Sequence, residues 1–115
     1  MSAPQFEAPA AIAFQLAARL ERYERDVAAI ERLPLDPELY RRVSSHIEQM
    51  RMYAGSLPAV SVSWVEVTIR HFEFIHGLWR AQQGDATVDL PQLQQQLHGA
   101  IRALSLRCRQ LVPSS

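Results

Sequence analysis

Apolar side chains recur along this chain at alternating steps of three and four, the spacing that lines one face of a helix. The first block contains Ala13, Leu16, Leu20, Tyr23, Val27 and Ile30 and predicts a helix over about 8–33. The opposite face carries Arg19, Arg22, Arg25, Glu21, Glu24 and Asp26. Glu21 and Arg25, like Arg22 and Asp26, stand four residues apart and are expected to pair along the helix, each pair worth a few tenths of a kcal/mol. Pro34 stops this helix, because the residue before a proline is driven out of the α region.

Asp36-Pro37-Glu38 then restarts one. Asp36 suits the N-cap, Pro37 needs no N–H in the first turn, and Glu38 meets the positive end of the helix dipole. Tyr40, Val43, Ile47, Met50 and Ala54 keep the apolar spacing through a helix at about 37–54, with Leu39 and Tyr53 beside them. Gly55 marks its end.

Residues 59–70 are rich in β-branched side chains, and Val60-Ser61-Val62-Ser63-Trp64 alternates as a strand would. The alternation loses phase at Val65, and the chain offers no partner strand. Ser63-Trp64-Val65-Glu66 also matches a capping box. A helix over about 61–83 is therefore expected, closed by Gly84-Asp85. Asp89 and Pro91 open a last helix at about 90–111, whose apolar face is Leu90, Leu93, Leu97, Ile101, Leu104, Cys108 and Leu111. Short connections make consecutive helices antiparallel. The expected fold is all-α: one domain over residues 1–115, an up-down-up-down four-helix bundle.

The third helix carries more apolar surface than one bundle member needs. Val65, Phe72, Ile75 and Trp79 make one stripe; Trp64, Val67, His71, Phe74 and Leu78 make a second. Glu66, Arg70, Glu73, Gly77 and Arg80 form the only polar seam. A bundle helix ordinarily buries one stripe and solvates the rest. The second stripe is expected to meet another chain, most simply in a two-fold homodimer, and to make His71 a pH-responsive group in that interface.

Composition narrows the function classes. Net charge is zero, with twelve cationic and twelve acidic residues, so no excess of one sign points to a nucleic-acid or membrane partner. All the cations are arginine, which rules out lysine Schiff-base and P-loop chemistry. Cys108 is the single cysteine, expected as a buried thiol with no disulfide or cysteine-rich zinc site. No apolar run reaches the roughly 18 residues that span a bilayer, and the first residues do not resemble a secretory leader. A cytoplasmic protein is the expectation.

Glu73 and His76 form a Glu-x-x-His, a spacing used by di-iron bundles, but those need the motif twice and it occurs once here. His46, Glu73, His76 and His98 are the candidate metal ligands for a metal- or small-ligand-binding bundle. No catalytic constellation stands out and no cofactor is implied. The leading expectation is a non-enzymatic interaction protein, adaptor- or chaperone-like, that self-associates through its third helix.

Overall fold

The computed structural model of the chain describes residues 3–33 and 36–113, with side chains from residue 8 onward. It is an all-α bundle of four helices, α1 (Ala3–Arg32), α2 (Pro37–Gly55), α3 (Ser61–Gln82) and α4 (Leu90–Leu111). A single 3₁₀ turn, Pro58–Val60, leads into α3. The predicted stripe of α1 is the buried one: Ala13, Leu16, Leu20, Tyr23, Val27 and Ile30 all lie in the core.

The helix boundaries have local causes. The Asp36 carboxylate accepts the Glu38 N–H at 2.9 Å, and Pro37 fills the first turn of α2. Asp89 does the same for α4, accepting the Gln92 N–H at 3.2 Å. Gly84, at φ +90°, supplies the left-handed residue beyond the end of α3. Beside it the Asp85 carboxylate accepts the Thr87 N–H at 2.9 Å and hydrogen bonds from Arg80. The Thr87 contacts and the Arg80 guanidinium push the Asp85 carboxyl down to about 2.

Three local expectations are corrected. α1 begins before residue 8 and carries Pro9 inside it, on an end where Ala8, Pro9 and Ala11 are exposed. The capping box at Ser63 does not form: α3 starts two residues earlier, after the 3₁₀ turn, and Ser61 Oγ donates to the Pro58 carbonyl. In α2 the core position is Leu39 rather than Tyr40, whose hydroxyl instead accepts from Gln82 of α3. Pro34, the expected stop of α1, lies outside the described residues.

Around the bundle, α1 packs on α2 and α4, and α3 packs on α4, with a sparser contact between α2 and α3. The contacts between α1 and α2, and those between α3 and α4, run in opposite chain directions. Asp26 meets Arg42 while Arg19 meets His46; Arg70 reaches Gln96 while Gly77 lies against Leu93. At Gly77 the α3 backbone comes so near α4 that an added Cβ would stand 2.5 Å from Leu93 Cδ1. That close approach turns α3 and sets which of its faces points inward.

Candidate interaction surface and buried polar network

The stripe of α3 expected at an interface is the one the structure buries. Val67, His71, Phe74 and Leu78 are buried inside the chain, and Trp64 is partly buried against the same core. They form no outward face, so the expectation that this stripe meets another chain is corrected. The first stripe is the exposed one: Val65, Phe72 and Trp79 face outward, with Phe72 60 % and Trp79 57 % exposed. Only Ile75 of that stripe packs partly onto the core.

Three residues outside either predicted stripe, Val62, Ile69 and His76, complete the exposed row. Val62 is 84 % exposed and Ile69 is also exposed. With them the row is Val62, Val65, Ile69, Phe72, His76 and Trp79, at steps of 3, 4, 3, 4 and 3. That is the period of a coiled-coil seam, and it lies nearly opposite the buried row. The signal was present in the sequence. Val62 stands within the strand-like alternation of residues 60–64, and Ile69 and His76 supply the three-four spacing between the heptad-spaced Val65, Phe72 and Trp79. The imidazole of His76 stacks on the Trp79 indole, with ring centroids 6.1 Å apart.

The core contains a polar pair. Tyr23 of α1 and His71 of α3 are both buried, with the tyrosine hydroxyl 2.8 Å from Nδ1 of the imidazole. No other acceptor for the hydroxyl proton is shown among the described residues, which assigns Tyr23 as the donor and His71 Nδ1 as the acceptor. Burial pushes the phenol up and the imidazole down to about 4, so both are neutral near pH 7. Histidine 71 is thus a core group satisfied within one chain rather than an interface group.

The candidate metal ligands are not brought together, and among the described residues no three histidine, cysteine or acidic side chains form a group that could hold a metal ion. His46 bonds to Asp26 at 2.8 Å. His98 lies between Glu24 and Glu31 of α1, at 3.2 and 3.5 Å. Glu73 is held by Arg70 at 3.0 Å, and His76 lies on Trp79. The Cys108 thiol is fully buried in the core, and burial raises it to about 11.

Between α1 and α2 the sequence-based pairing also changes. Asp26 does not pair with Arg22 on its own helix. It reaches across to α2, accepting from Arg42 at 3.2 Å and from His46 Nε2 at 2.8 Å. Partial burial raises the Asp26 carboxyl, but the bonds from Arg42 and His46 outweigh this and hold it below the usual carboxylate range. Arg19 donates to His46 Nδ1 at 3.4 Å. An arginine can only donate, so Nδ1 accepts and the His46 proton sits on Nε2, facing Asp26.

Among the described residues no helix is long and apolar enough to cross a membrane. No protein-family model matches this sequence, and neither a curated protein nor a solved structure matches it.

Proposed function

We propose that the protein is a non-enzymatic interaction module that self-associates, with a second copy docked along the outer row of α3. The observation that carries this reading is the heptad step of the exposed row Val62, Val65, Ile69, Phe72, His76 and Trp79. The row extends about 25 Å at 1.5 Å per residue, and it puts large aromatic surface in water on the side of α3 away from its own core.

A second copy fits this row for a specific reason. A two-fold axis crossing the helix between Ile69 and Phe72 pairs Val62 with Trp79, Val65 with His76, and Ile69 with Phe72. Each rung then sets a small or aliphatic side chain against a larger ring, which fills the seam evenly along its length. Off the row, toward α4, Arg70 bonds both Glu66 at 2.7 Å and Glu73 at 3.0 Å, so these charged side chains of α3 lie apart from the apolar seam.

Sedimentation of the wild-type chain and of the Ile69→Glu/Phe72→Glu variant tests the reading. A wild-type dimer and a monomeric variant with unchanged helical circular dichroism are expected. A wild-type chain that stays monomeric at every concentration overturns the proposal, as does a variant that dimerises normally.

A further inference from the structure

The cleft between α1 and α2 has an imbalance of charge that the chain as a whole does not. It is a shallow, open depression of about 480 Å³ lined by Arg19, Arg22, Arg25, Asp26, Arg42 and His46. Four guanidinium groups meet there with one carboxylate, in a protein whose formal net charge is zero. That carboxylate is already engaged by Arg42 and by His46 Nε2–H. The expected helix pairs of Glu21 with Arg25 and of Arg22 with Asp26 are not formed. Arg22 and Arg25 have no acidic partner among the described residues, and the side-chain contact shown for Arg19 is with His46 Nδ1.

Outside the cleft four arginines find carboxylates, whereas Arg32, Arg102, Arg107 and Arg109, also without one among the described residues, do not converge three together on a cleft with a fixed wall. Arg41 pairs with Glu38, Arg51 with Glu48, Arg70 with Glu66 and Glu73, and Arg80 with Asp85. In the cleft, three guanidinium groups on successive turns of α1 share one side of a groove whose far wall is fixed. His46 is nearly buried and bonded at both ring nitrogens, and Arg42 is tied to Asp26. Guanidinium forks match tetrahedral oxyanions, and several converging forks favour a ligand with more than one negative charge.

We propose that this cleft is a binding site for a phosphate-bearing anion, held by Arg19, Arg22 and Arg25 with Arg42 at its rim. An incoming phosphate takes the place of the missing carboxylates. It leaves the Asp26–His46 pair intact behind the guanidinium groups. The site lies on α1 and α2 and needs nothing from the outer face of α3.

Inorganic pyrophosphate, titrated at constant ionic strength and followed by calorimetry and by NMR of the arginine Nε–H groups, tests this. Saturable one-to-one binding is expected, with the Arg19, Arg22 and Arg25 signals moving. The Arg22→Gln/Arg25→Gln variant should bind roughly tenfold more weakly or worse, the loss expected on removing charge-assisted hydrogen bonds. Its melting temperature without ligand should be unchanged, because neither side chain holds another part of the fold. Arg41→Gln, outside the cleft, should bind as wild type does. A nucleoside diphosphate binding tighter than pyrophosphate assigns a phosphate ester as ligand; the reverse order assigns the inorganic anion. Pyrophosphate acting no more strongly than sodium chloride at matched ionic strength overturns the site, as does undiminished binding by the double variant.

Discussion

The hydroxyl of Tyr23 donates to Nδ1 of His71 across 2.8 Å of the bundle interior, joining α1 to α3, helices that lie diagonally across the core. Both side chains are buried, and the His46 ring lies edge-on to the same tyrosine at 6.4 Å. A buried polar pair of this kind is satisfied in only one arrangement of the helices. Rotating α3 to bury its other stripe would leave the Tyr23 hydroxyl facing apolar side chains. The pair therefore acts with the close approach at Gly77 to fix the rotation of α3.

One consequence is a stability that rises with pH across the mildly acid range. In the folded chain His71 protonates near 4, because burial disfavours the charged ring, whereas an exposed histidine does so near 6.5. The unfolded chain therefore binds the extra proton first as pH falls. The stability due to the neutral ring is complete above about 6.5 and is lost as pH drops from there through 4, by roughly 3 kcal/mol in all. Asp26 and Asp85, both held below the usual carboxylate range, add their losses only at lower pH. Urea denaturation from pH 7.5 to 4.5 should show the decline, and His71→Gln, which keeps an acceptor but does not titrate, should flatten it.

Removing the hydroxyl alone tests the pair directly. Tyr23→Phe keeps the packed ring and strands the His71 Nδ1 in the core, at a cost of about 1–3 kcal/mol. Removing both polar groups should cost less than the two single changes added together, since neither partner is then left unsatisfied. A double-mutant cycle with Tyr23→Phe and His71→Leu measures that difference by denaturant unfolding. Strict additivity would show that the contact does no coupling.

Most of the fold was legible because helical periodicity and capping are local properties. The α1 stripe, the Asp36 and Asp89 caps and the bounds of α4 follow from residues within one or two turns of each other. The rotation of α3 was not legible. Its two stripes are similarly apolar, and the choice between them depends on Leu93 of α4 and Tyr23 of α1, whose proximity is a tertiary fact. Asp26 shows the same limit in the candidate anion site. Four-residue spacing offered Arg22 as its partner, but Arg42 and His46 become nearer only once α1 and α2 have packed. The spacing shows that α3 has surplus apolar surface, but not which face carries it.

Two glycines should respond in opposite directions to alanine. Gly99 lies within α4 with open space around the position of a Cβ, so Gly99→Ala gains helix propensity worth about 1 kcal/mol. Gly84 sits at φ +90°, where an added Cβ clashes with its own backbone, so Gly84→Ala should lose about 1–2 kcal/mol despite the open space beside it. Thermal unfolding of the two variants under identical conditions should move the midpoint up for the first and down for the second.

The inversion of the α3 stripes predicts a contrast between two phenylalanines only two residues apart. Phe74 is fully buried, and Phe74→Ala leaves a cavity among packed neighbours that should cost about 3–5 kcal/mol. Phe72 faces outward, so Phe72→Ala removes little packing within the chain and should change the stability of the isolated subunit by no more than about 0.5 kcal/mol. Measured at dilutions where the wild type is monomeric, the two variants isolate the intrachain effect. Repeated at high concentration, the same denaturation should show Phe72→Ala falling behind the wild type, because the dimer then adds stability that this variant lacks. Equal losses for Phe72 and Phe74 at every dilution would mean that both rings are packed within one chain, and the outer row of α3 would then be no free surface at all.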